Sequence, residues 1–295
     1  MRPGLVFTCA LLLVCGGAAG QPALPELALG AVPPDPQRGQ VILFELEGAR
    51  PGDRVGGAFL GRSLRFFVDG RGRVRALAAV NLEDPTGMTP AAIRLESPEG
   101  ETRTLSRPIR VRPGRFERQE LRVDPRYVRP PASARERIQR ERTEMRRLFE
   151  AAPTPRAWRG SFVWPREDEI TSPFGLRRLF NDELASRHWG LDIDGRRGSP
   201  VEAIGAGRVV MCAKRYYSGG TVVIDHGLRL FSLYFHLSAI EVAEGQAVRK
   251  GQRIGRVGRS GRATGPHLHV GTKVEDVSFD PVSLFDLDLD EGVEP

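Results

Sequence analysis

The chain has 295 residues, of which 40% are hydrophobic and 27% are charged, and its formal net charge is +7. That length is sufficient for two domains, and the positive charge favours anionic wall or membrane surfaces over neutral ones. No nucleic-acid-binding motif accompanies the charge, which argues against nucleic acid as a partner. A solvated basic face without a specific ligand is the simplest alternative.

Residues 1–20 have the pattern of a secretory signal peptide. Arg2 precedes an apolar run over 5–14, and small residues follow as far as Gly20. The run is too short to span a bilayer, so we expect no transmembrane segment in the mature chain. These features predict an exported protein of the periplasm or cell envelope. A lipid anchor at Cys15 is the alternative, which Val14 disfavours because a small residue is expected at that position.

Cysteine is scarce in this sequence. Of the three cysteines, Cys212 is the one that follows the predicted signal peptide. An intrachain disulfide is therefore excluded in the mature chain, in spite of the exported destination. We expect the stability of the protein to come from packed cores and a bound metal.

Residues 21–115 are predicted to form a small N-terminal β-sandwich-like domain. Short apolar runs at 41–46, 63–68, 74–80 and 92–95 are separated by clusters of Gly, Pro and Asp, a spacing typical of antiparallel sandwiches. No G-K-[ST] follows its glycine-rich turns, so a phosphate-binding loop is not predicted. We expect the domain to act as a spacer, to dock other cell-envelope proteins, or to cover a groove in the next domain.

Residues 116–157 form an arginine-rich linker with a predicted helix over about 133–151. Ser133 and Glu136 have the spacing of a capping box at the start of this helix. The apolar side chains of the helix fall near one face, and we expect that face to pack on the following domain. These side chains are Ile138, Met145, Leu148 and Phe149.

Residues 158–287 are predicted to form a β-rich domain, and residues 288–295 an acidic tail. Strand patterns follow one another with turns such as Ser218-Gly219-Gly220 between them, which indicates a folded-over sheet. The hairpin around Lys250 resembles those of biotinyl and lipoyl carrier domains. The residues that flank this lysine do not resemble a modification site, so we do not predict a carrier.

All five histidines of the chain lie between residues 188 and 269. His267 and His269 are two residues apart on a predicted strand. Residues i and i+2 of a strand share a face, so both side chains would point into one groove. Upstream, His188 and Asp192 add an imidazole and a carboxylate. Two imidazoles, one carboxylate and an open position make a usual catalytic zinc site. The spacing alone leaves open which of His267 and His269 is the ligand.

A fifth participant is predicted at His236. Apolar and polar residues alternate over 231–237, the pattern of a half-buried strand, and His236 falls on the polar face together with Ser232 and Tyr234. We therefore expect its imidazole to face the groove.

Four segments of this domain together resemble the lysostaphin/LytM-type zinc metallopeptidases, which are cell-wall endopeptidases. They are S-P-F-G-L-R-R at 172–178, H-W-G-L-D at 188–192, Y-F-H-L-S at 234–238 and G-R-A-T-G-P-H-L-H at 261–269. The resemblance implies the duplicated hybrid motif fold for the C-terminal domain, in a chain that is mainly β.

The resemblance also implies roles for five side chains. His188, Asp192 and His269 are expected to hold one Zn²⁺ per chain. His236 and His267 are expected to form the catalytic pair, which moves protons and stabilises the tetrahedral intermediate.

Three further residues are candidates for contacts with substrate or with the ligands. In the family the F-G-x-R segment borders the groove, which makes Arg177 a candidate, with an ordinary surface arginine as the alternative. Tyr234 and His226 are the others, and a position in a turn is the alternative for His226.

The substrate that the resemblance implies is peptidoglycan, cleaved at a peptide bond of its stem or cross-bridge. The F-G-L-R-R and H-L-H segments are closer to Gram-negative members of the family than to the lysostaphins, which favours a D-alanyl–diaminopimelate cross-link. Two alternatives differ in class: a non-catalytic activator of other wall hydrolases, and a latent enzyme whose groove is blocked by the N-terminal domain or the linker helix. The presence of every ligand argues against lost activity.

Overall fold

The computed structural model describes residues 25–289. The predicted signal peptide, Cys15 and residues 290–295 of the acidic tail lie outside the described residues. Within the described part, strands far outnumber helices, so the prediction of a mainly β chain is confirmed. No helix of this part is long and apolar enough to cross a membrane.

The N-terminal domain is a β-sandwich of two four-stranded antiparallel sheets. Its strands are β1 (Ala28–Val32), β2 (Val41–Glu47), β3 (Arg54–Phe59), β4 (Arg62–Leu64), β5 (Phe66–Val68), β6 (Val74–Ala79), β7 (Gly87–Glu96) and β8 (Thr102–Val111). One sheet has the order β1-β2-β6-β5 and the other β4-β3-β7-β8. Phe44 and Phe59 meet edge to face between the sheets, with ring centroids 5.3 Å apart, so the two inner faces share one core.

The first of these sheets is buried on both faces. Its outer face carries Val41, Leu43 and Leu77, which belong to the same buried cluster as Trp158 and the core of the C-terminal domain. The ring of Phe67 packs edge to face on Trp158 at 5.1 Å. This sheet therefore serves the cores of both domains.

The linker contributes one strand, a short 3₁₀ turn (Pro125–Tyr127) and one long helix. The strand is β9 (Arg118–Leu121) and the helix is α1 (Ala132–Glu150). The helix packs on the C-terminal domain as predicted, since the Phe149 ring lies 5.2 Å from that of Phe231. The predicted capping box is wrong: Pro131 is the N-cap residue and no side chain caps it. Proline can occupy this position because its fixed φ suits the chain that enters a helix.

The C-terminal domain is built on an eight-stranded antiparallel sheet with two three-stranded sheets beside it. Its elements are β10 (Ile170–Ser172), β11 (Arg177–Phe180), β12 (Leu184–Arg187), β13 (Leu191–Asp194), β14 (Pro200–Glu202), β15 (Gly207–Arg215), β16 (Gly219–Gly227), β17 (Leu230–Leu237), β18 (Ala239–Ile240), β19 (Ala247–Val248), β20 (Arg253–Arg256), β21 (His267–Val274), β22 (Val277–Phe279) and α2 (Pro281–Phe285). The large sheet has the order β10-β13-β21-β17-β16-β15-β19, and β22 pairs with β21. The small sheets are β12-β11-β9 and β14-β20-β18, so the linker strand β9 belongs to this domain.

The alternation predicted over 231–237 is interrupted at His236. Ser232 and Tyr234 are fully buried, so the face that looked polar is a core face. His236 has a φ of 63°, and this left-handed residue breaks the period of two before Leu237 returns to the core. The break releases the His236 side chain from the core face on which a regular strand would have placed it.

The end of the described chain is packed against the domain. Leu287 and Leu289 are buried, and the backbone N–H of Leu289 donates to Ser161 Oγ at 3.0 Å. The first residues of the segment predicted as a tail are therefore in contact with the fold. Cys212 is a free, partly buried thiol.

Candidate metal centre

Two neighbouring strands present the carboxylate and one imidazole of the predicted site. In the antiparallel pair β13 and β21, Asp192 lies directly opposite His269, and Asp194 lies opposite His267. Residues that face each other across such a pair project to the same side of the sheet. The register of these two strands therefore brings Asp192 and His269 together from distant parts of the sequence.

His188 is held beside this pair by the loop before β11. Its backbone N–H donates to Leu176, its backbone carbonyl accepts from Gly175, and its ring Nδ1 lies 2.8 Å from the carbonyl oxygen of Pro173. The S-P-F-G-L segment thus fixes both the backbone and the ring of His188. Its Nε2 atom points toward Asp192.

The three side chains form a compact buried cluster. His188 Nε2 lies 3.0 Å from Asp192 Oδ1 and 3.0 Å from His269 Nδ1, and His269 Nδ1 lies 2.8 Å from Asp192 Oδ1. All three residues are at most 8% exposed. These are the three residues that the resemblance to the zinc metallopeptidases implies as metal ligands.

The chemistry of these donors fits a cation. In its neutral form His188 carries its proton on Nδ1, which faces a carbonyl, so its Nε2 presents a lone pair to a carboxylate oxygen and to a second imidazole. Lone pairs at such distances repel one another unless a proton or a metal cation lies between them. Two zinc bonds of about 2.0–2.1 Å at a tetrahedral angle would separate their donors by roughly 3.3 Å, only slightly more than the separations here.

The ionisation of these groups is suited to metal binding. Burial opposes ionisation of Asp192, but hydrogen bonds with His188 and His269 outweigh it, and the pKa of Asp192 lies well below its usual value. Burial also lowers the pKa of His269 to about 4. A carboxylate and a neutral imidazole are the forms that bind metals.

Gly190 and Phe235 shape the pocket around His269. A Cβ atom built on Gly190 would lie 2.5 Å from His269 Nε2, a separation that atoms do not tolerate. On the other side, the Phe235 ring stacks on His269 with centroids 5.1 Å apart and an angle of 5°. Gly190 and Phe235 thus both restrict where the imidazole of His269 can lie.

Arg178, rather than Arg177, contacts the centre. Its guanidinium Nη2 donates to Asp192 Oδ2 at 2.5 Å, which leaves Oδ1 for the histidines. Arg177 is exposed on the opposite side of β11. Arg178 was not among the predicted site residues, although strand alternation indicates that only one of two adjacent arginines faces the groove.

Gln119 from the linker was also missed. Its Oε1 accepts from Arg178 Nε at 2.8 Å, and its Nε2 donates to Ser172 Oγ at 2.9 Å. These contacts exist because β9 pairs in parallel with β11, with Gln119 opposite Arg178. Gln119 and Arg178 are 59 residues apart, so the local sequence of either strand does not indicate that the two strands pair.

His236 and His267 lie on the open side of the cluster. Their rings are 4.8 Å apart, and His267 Nε2 lies 3.8 Å from Asp192 Oδ1. His236 Nδ1 faces the carbonyl of Ser260 at 2.7 Å, and His267 Nδ1 faces that of Gly265 at 2.9 Å. When these rings are neutral, the proton lies on Nδ1 and faces the carbonyl. The Nε2 atom of each ring can therefore accept a proton or a hydrogen bond. Both side chains line a groove cavity of about 280 Å³ that also contains Asp192.

His226 and Tyr234 make their hydrogen bonds inside the core. Tyr234 accepts from the N–H of Ile204 at 2.9 Å, and Ser232 Oγ links the Tyr234 hydroxyl to His226 Nε2 at 3.0 and 2.8 Å. Both residues are fully buried. The structure thus places these two candidates in a buried polar network with Ser232 and Ile204, away from the hydrogen bonds of the metal cluster.

The C-terminal domain is similar to known proteins. The family described as Peptidase family M23 matches residues 186–281. Peptidoglycan DD-endopeptidase ShyA of Vibrio cholerae is 41% identical over 126 residues, which are 42% of this chain and 27% of that protein. DD-carboxypeptidase/endopeptidase Mpg of Neisseria meningitidis is 39% identical over 115 residues, or 39% of this chain and 26% of that protein. The chain thus matches about a quarter of the length of these relatives.

One solved structure resembles nearly the whole chain. A Pseudomonas aeruginosa protein solved as a candidate peptidase M23 has a TM-score of 0.65 and 24% identity, and the match covers 85% of this chain and 95% of that one. At this identity the likeness concerns the fold alone. The fold that the two share includes the N-terminal domain as well as the domain that carries the cluster.

Proposed function

We propose, on the basis that this chain carries a peptidase family M23 domain at residues 186–281, that the protein is a zinc-dependent endopeptidase that hydrolyses peptide bonds in peptidoglycan cross-links. The observation that carries the proposal is that His188, Asp192 and His269 each offer one ligand atom, and that these atoms lie within 4.8 Å of one another. The relatives named as peptidoglycan DD-endopeptidases support this substrate, and they favour a DD cross-link as the bond.

His188 Nε2, Asp192 Oδ1 and His269 Nδ1 would hold the metal. When bound, zinc supplies a Lewis acid that activates water near neutral pH and polarises a peptide carbonyl. Arg178 holds the second oxygen of Asp192, so the carboxylate offers one oxygen to the metal. Burial and the fixed rings then keep this set in place while substrate binds.

His236 and His267 would handle the protons. Burial, together with the neighbouring imidazoles, lowers the pKa of His236 to about 3, so the ring is neutral at pH 7 and can accept a proton at Nε2. The backbone carbonyls on both Nδ1 atoms fix the ring orientation. A protonated ring can then donate to the leaving amine or to the developing oxyanion.

We also propose export to the periplasm or cell envelope, where this substrate lies. The support is the signal-peptide pattern of residues 1–20. Fractionation of cells that express the tagged protein tests this directly, since recovery in the cytoplasm alone would contradict it. Docking of other envelope proteins on the N-terminal domain stays a prediction.

The first test of the activity is digestion of peptidoglycan sacculi by the purified zinc-loaded protein. We expect soluble fragments whose masses identify the cleaved bond. The His269→Ala variant should lose at least a hundredfold in rate, since a metal ligand is removed. The exposed-arginine variant Arg249→Gln is the control and should retain full activity.

The same assay separates the alternatives. A chelator should stop digestion and added zinc should restore it. Equal digestion by the wild type and by His269→Ala would contradict a metallopeptidase. The His236→Ala variant can be expressed in a strain from which the gene is deleted. If the protein is a non-catalytic activator, the variant should still restore cell separation, whereas it should fail to do so if the protein is an endopeptidase.

A further inference from the structure

A second cavity of about 750 Å³ lies beside the metal groove and is rich in positive charge. We call it the basic cleft. Its lining includes six cationic side chains and no acidic one. They are Arg126, Arg137, Arg197, Lys214, Arg215 and Arg259.

Three of these six charges have no ion-pair partner among residues 25–289. Arg126 pairs with Asp124, Arg137 with Glu141 and Arg215 with Glu144. Arg197, Lys214 and Arg259 are exposed, and within residues 25–289 none of the three has an ion pair through its side chain. Cations gathered in a concave surface repel one another and concentrate anions there.

The fold, rather than the sequence, gathers these charges. Arg197 follows β13, Lys214 is near the end of β15, and Arg259 follows β20, so each comes from a different part of the C-terminal domain. The linker adds Tyr127, whose ring packs edge to face on Tyr216 at 5.5 Å. The cleft is therefore a built feature of the linker and the C-terminal domain together.

The basic cleft adjoins the metal groove. Pro266 lines both cavities. Ser260 lines the cleft, and its carbonyl accepts from His236 Nδ1 at 2.7 Å. An extended peptide that lies across the metal centre and passes His236 would therefore enter the cleft.

We propose that the basic cleft binds carboxylates on the substrate peptide, on one side of the bond to be cleaved, through Arg197, Lys214 and Arg259. This inference rests on the proposed function for the position of the peptide. Because the cleft adjoins the metal groove at Pro266, a carboxylate on the substrate is favoured over a separate phosphate-bearing polymer. The cleft then binds peptides with free carboxylates more tightly than peptides whose carboxyl groups are amidated.

Binding of a fluorescently labelled dimeric muropeptide tests the proposal. The protein is the zinc-loaded full chain with His236→Ala, so that the ligand is not consumed, and the comparison ligand is the same muropeptide with its carboxyls converted to amides. We expect the added triple change Arg197→Gln, Lys214→Gln and Arg259→Gln to raise the Kd of the free acid about tenfold. The Kd of the amidated ligand should not change.

A matched triple change controls for net charge. Arg94→Gln, Arg110→Gln and Arg249→Gln remove three exposed arginines outside the cleft and should leave both Kd values unaltered. Equal binding of the two ligands, an equal effect of the control, or no binding of either ligand would overturn the proposal. Binding of a phosphate-bearing polymer that the triple change weakens, with unchanged muropeptide binding, would also overturn it.

Turnover by the protein with an intact His236 separates this inference from the proposed function. Hydrolysis of free and amidated muropeptides at equal kcat/KM would refute the cleft and leave the endopeptidase intact. Selective binding without any hydrolysis would support the cleft and refute the endopeptidase.

Discussion

Gly190 stands between His188 and Asp192 in the sequence, and its missing side chain leaves the space that His269 occupies. A single methyl group at this position would overlap the ring from a strand 79 residues away. The metal cluster therefore depends on a residue that contributes no ligand atom.

The variant Gly190→Ala tests this dependence. The Cβ atom would displace His269 from Asp192, so we expect the zinc Kd, measured by competition with a chromophoric chelator, to rise at least tenfold. The control is Gly56→Ala, since a Cβ there meets no atom within 4 Å. Unchanged zinc affinity in Gly190→Ala would contradict the described geometry.

A second prediction at this scale concerns His226. Burial lowers its pKa from 6.5 to about 4, so between these pH values the unfolded chain binds a proton that the folded chain does not. The free energy of unfolding should therefore fall as the pH falls from 6.5 to 4. In metal-free protein, urea unfolding of His226→Asn should show a shallower pH dependence, by up to one proton, than that of the wild type. If the free energy of unfolding depends on pH equally in the variant and the wild type, the lowered pKa of His226 would be contradicted.

Most of the metal cluster could be predicted from residue types and a family resemblance, but the geometry that distinguishes its members could not. His267 and His269 project to one groove in the sequence pattern. Only the register of β13 against β21 places His269, and not His267, opposite Asp192. The end of β13 and the start of β21 are 73 residues apart, so their register is a non-local property.

Strand β9 joins the linker to the metal centre. It extends the small sheet beside β11, and its burial alternates so that Gln119 and Leu121 face the groove while Arg118 and Glu120 are exposed. Through Arg178, Gln119 supports the carboxylate of Asp192. The sequence analysis assigned no strand here, because four residues flanked by arginines and prolines carry too little pattern.

The variant Gln119→Leu isolates this support. It keeps the size of the side chain and removes both hydrogen bonds, so Arg178 loses a partner that orients it toward Asp192. We expect about a tenfold weaker zinc affinity with an unchanged far-ultraviolet circular dichroism spectrum. Glu120→Leu, on the exposed side of the same strand, should bind zinc as the wild type does; an equal loss in both variants would point to the strand rather than to the Gln119 contacts.

The whole molecule is less divisible than its sequence suggests. The boundary near residue 158 separates two patterns of composition, yet Val41, Leu43 and Leu77 share a buried cluster with Trp158. Outward-facing apolar residues on a sandwich strand look the same in a sequence whether they meet solvent or another domain. The contact between the domains could therefore not be predicted, although both folds were.

A fragment of residues 155–295 tests this contact. It would expose the face on which the N-terminal sheet packs and would lack β9 and α1. Burial of each large apolar side chain contributes about 1.5–3 kcal/mol, so we expect a Tm lower than that of the full chain by on the order of 10 °C. A fragment from residue 116 onward, which retains the linker, should recover part of the loss. Equal melting of all three proteins would show that the domains do not stabilise each other.

The central claim is that one zinc ion is held by His188, Asp192 and His269. A crystal structure of the zinc-loaded protein with anomalous diffraction at the zinc edge measures this directly. We expect one peak per chain, about 2.0–2.2 Å from His188 Nε2, Asp192 Oδ1 and His269 Nδ1, with His236 and His267 unliganded beside it. No peak at this position, or a zinc ion held by His236 and His267, would show that the three residues do not form the zinc site.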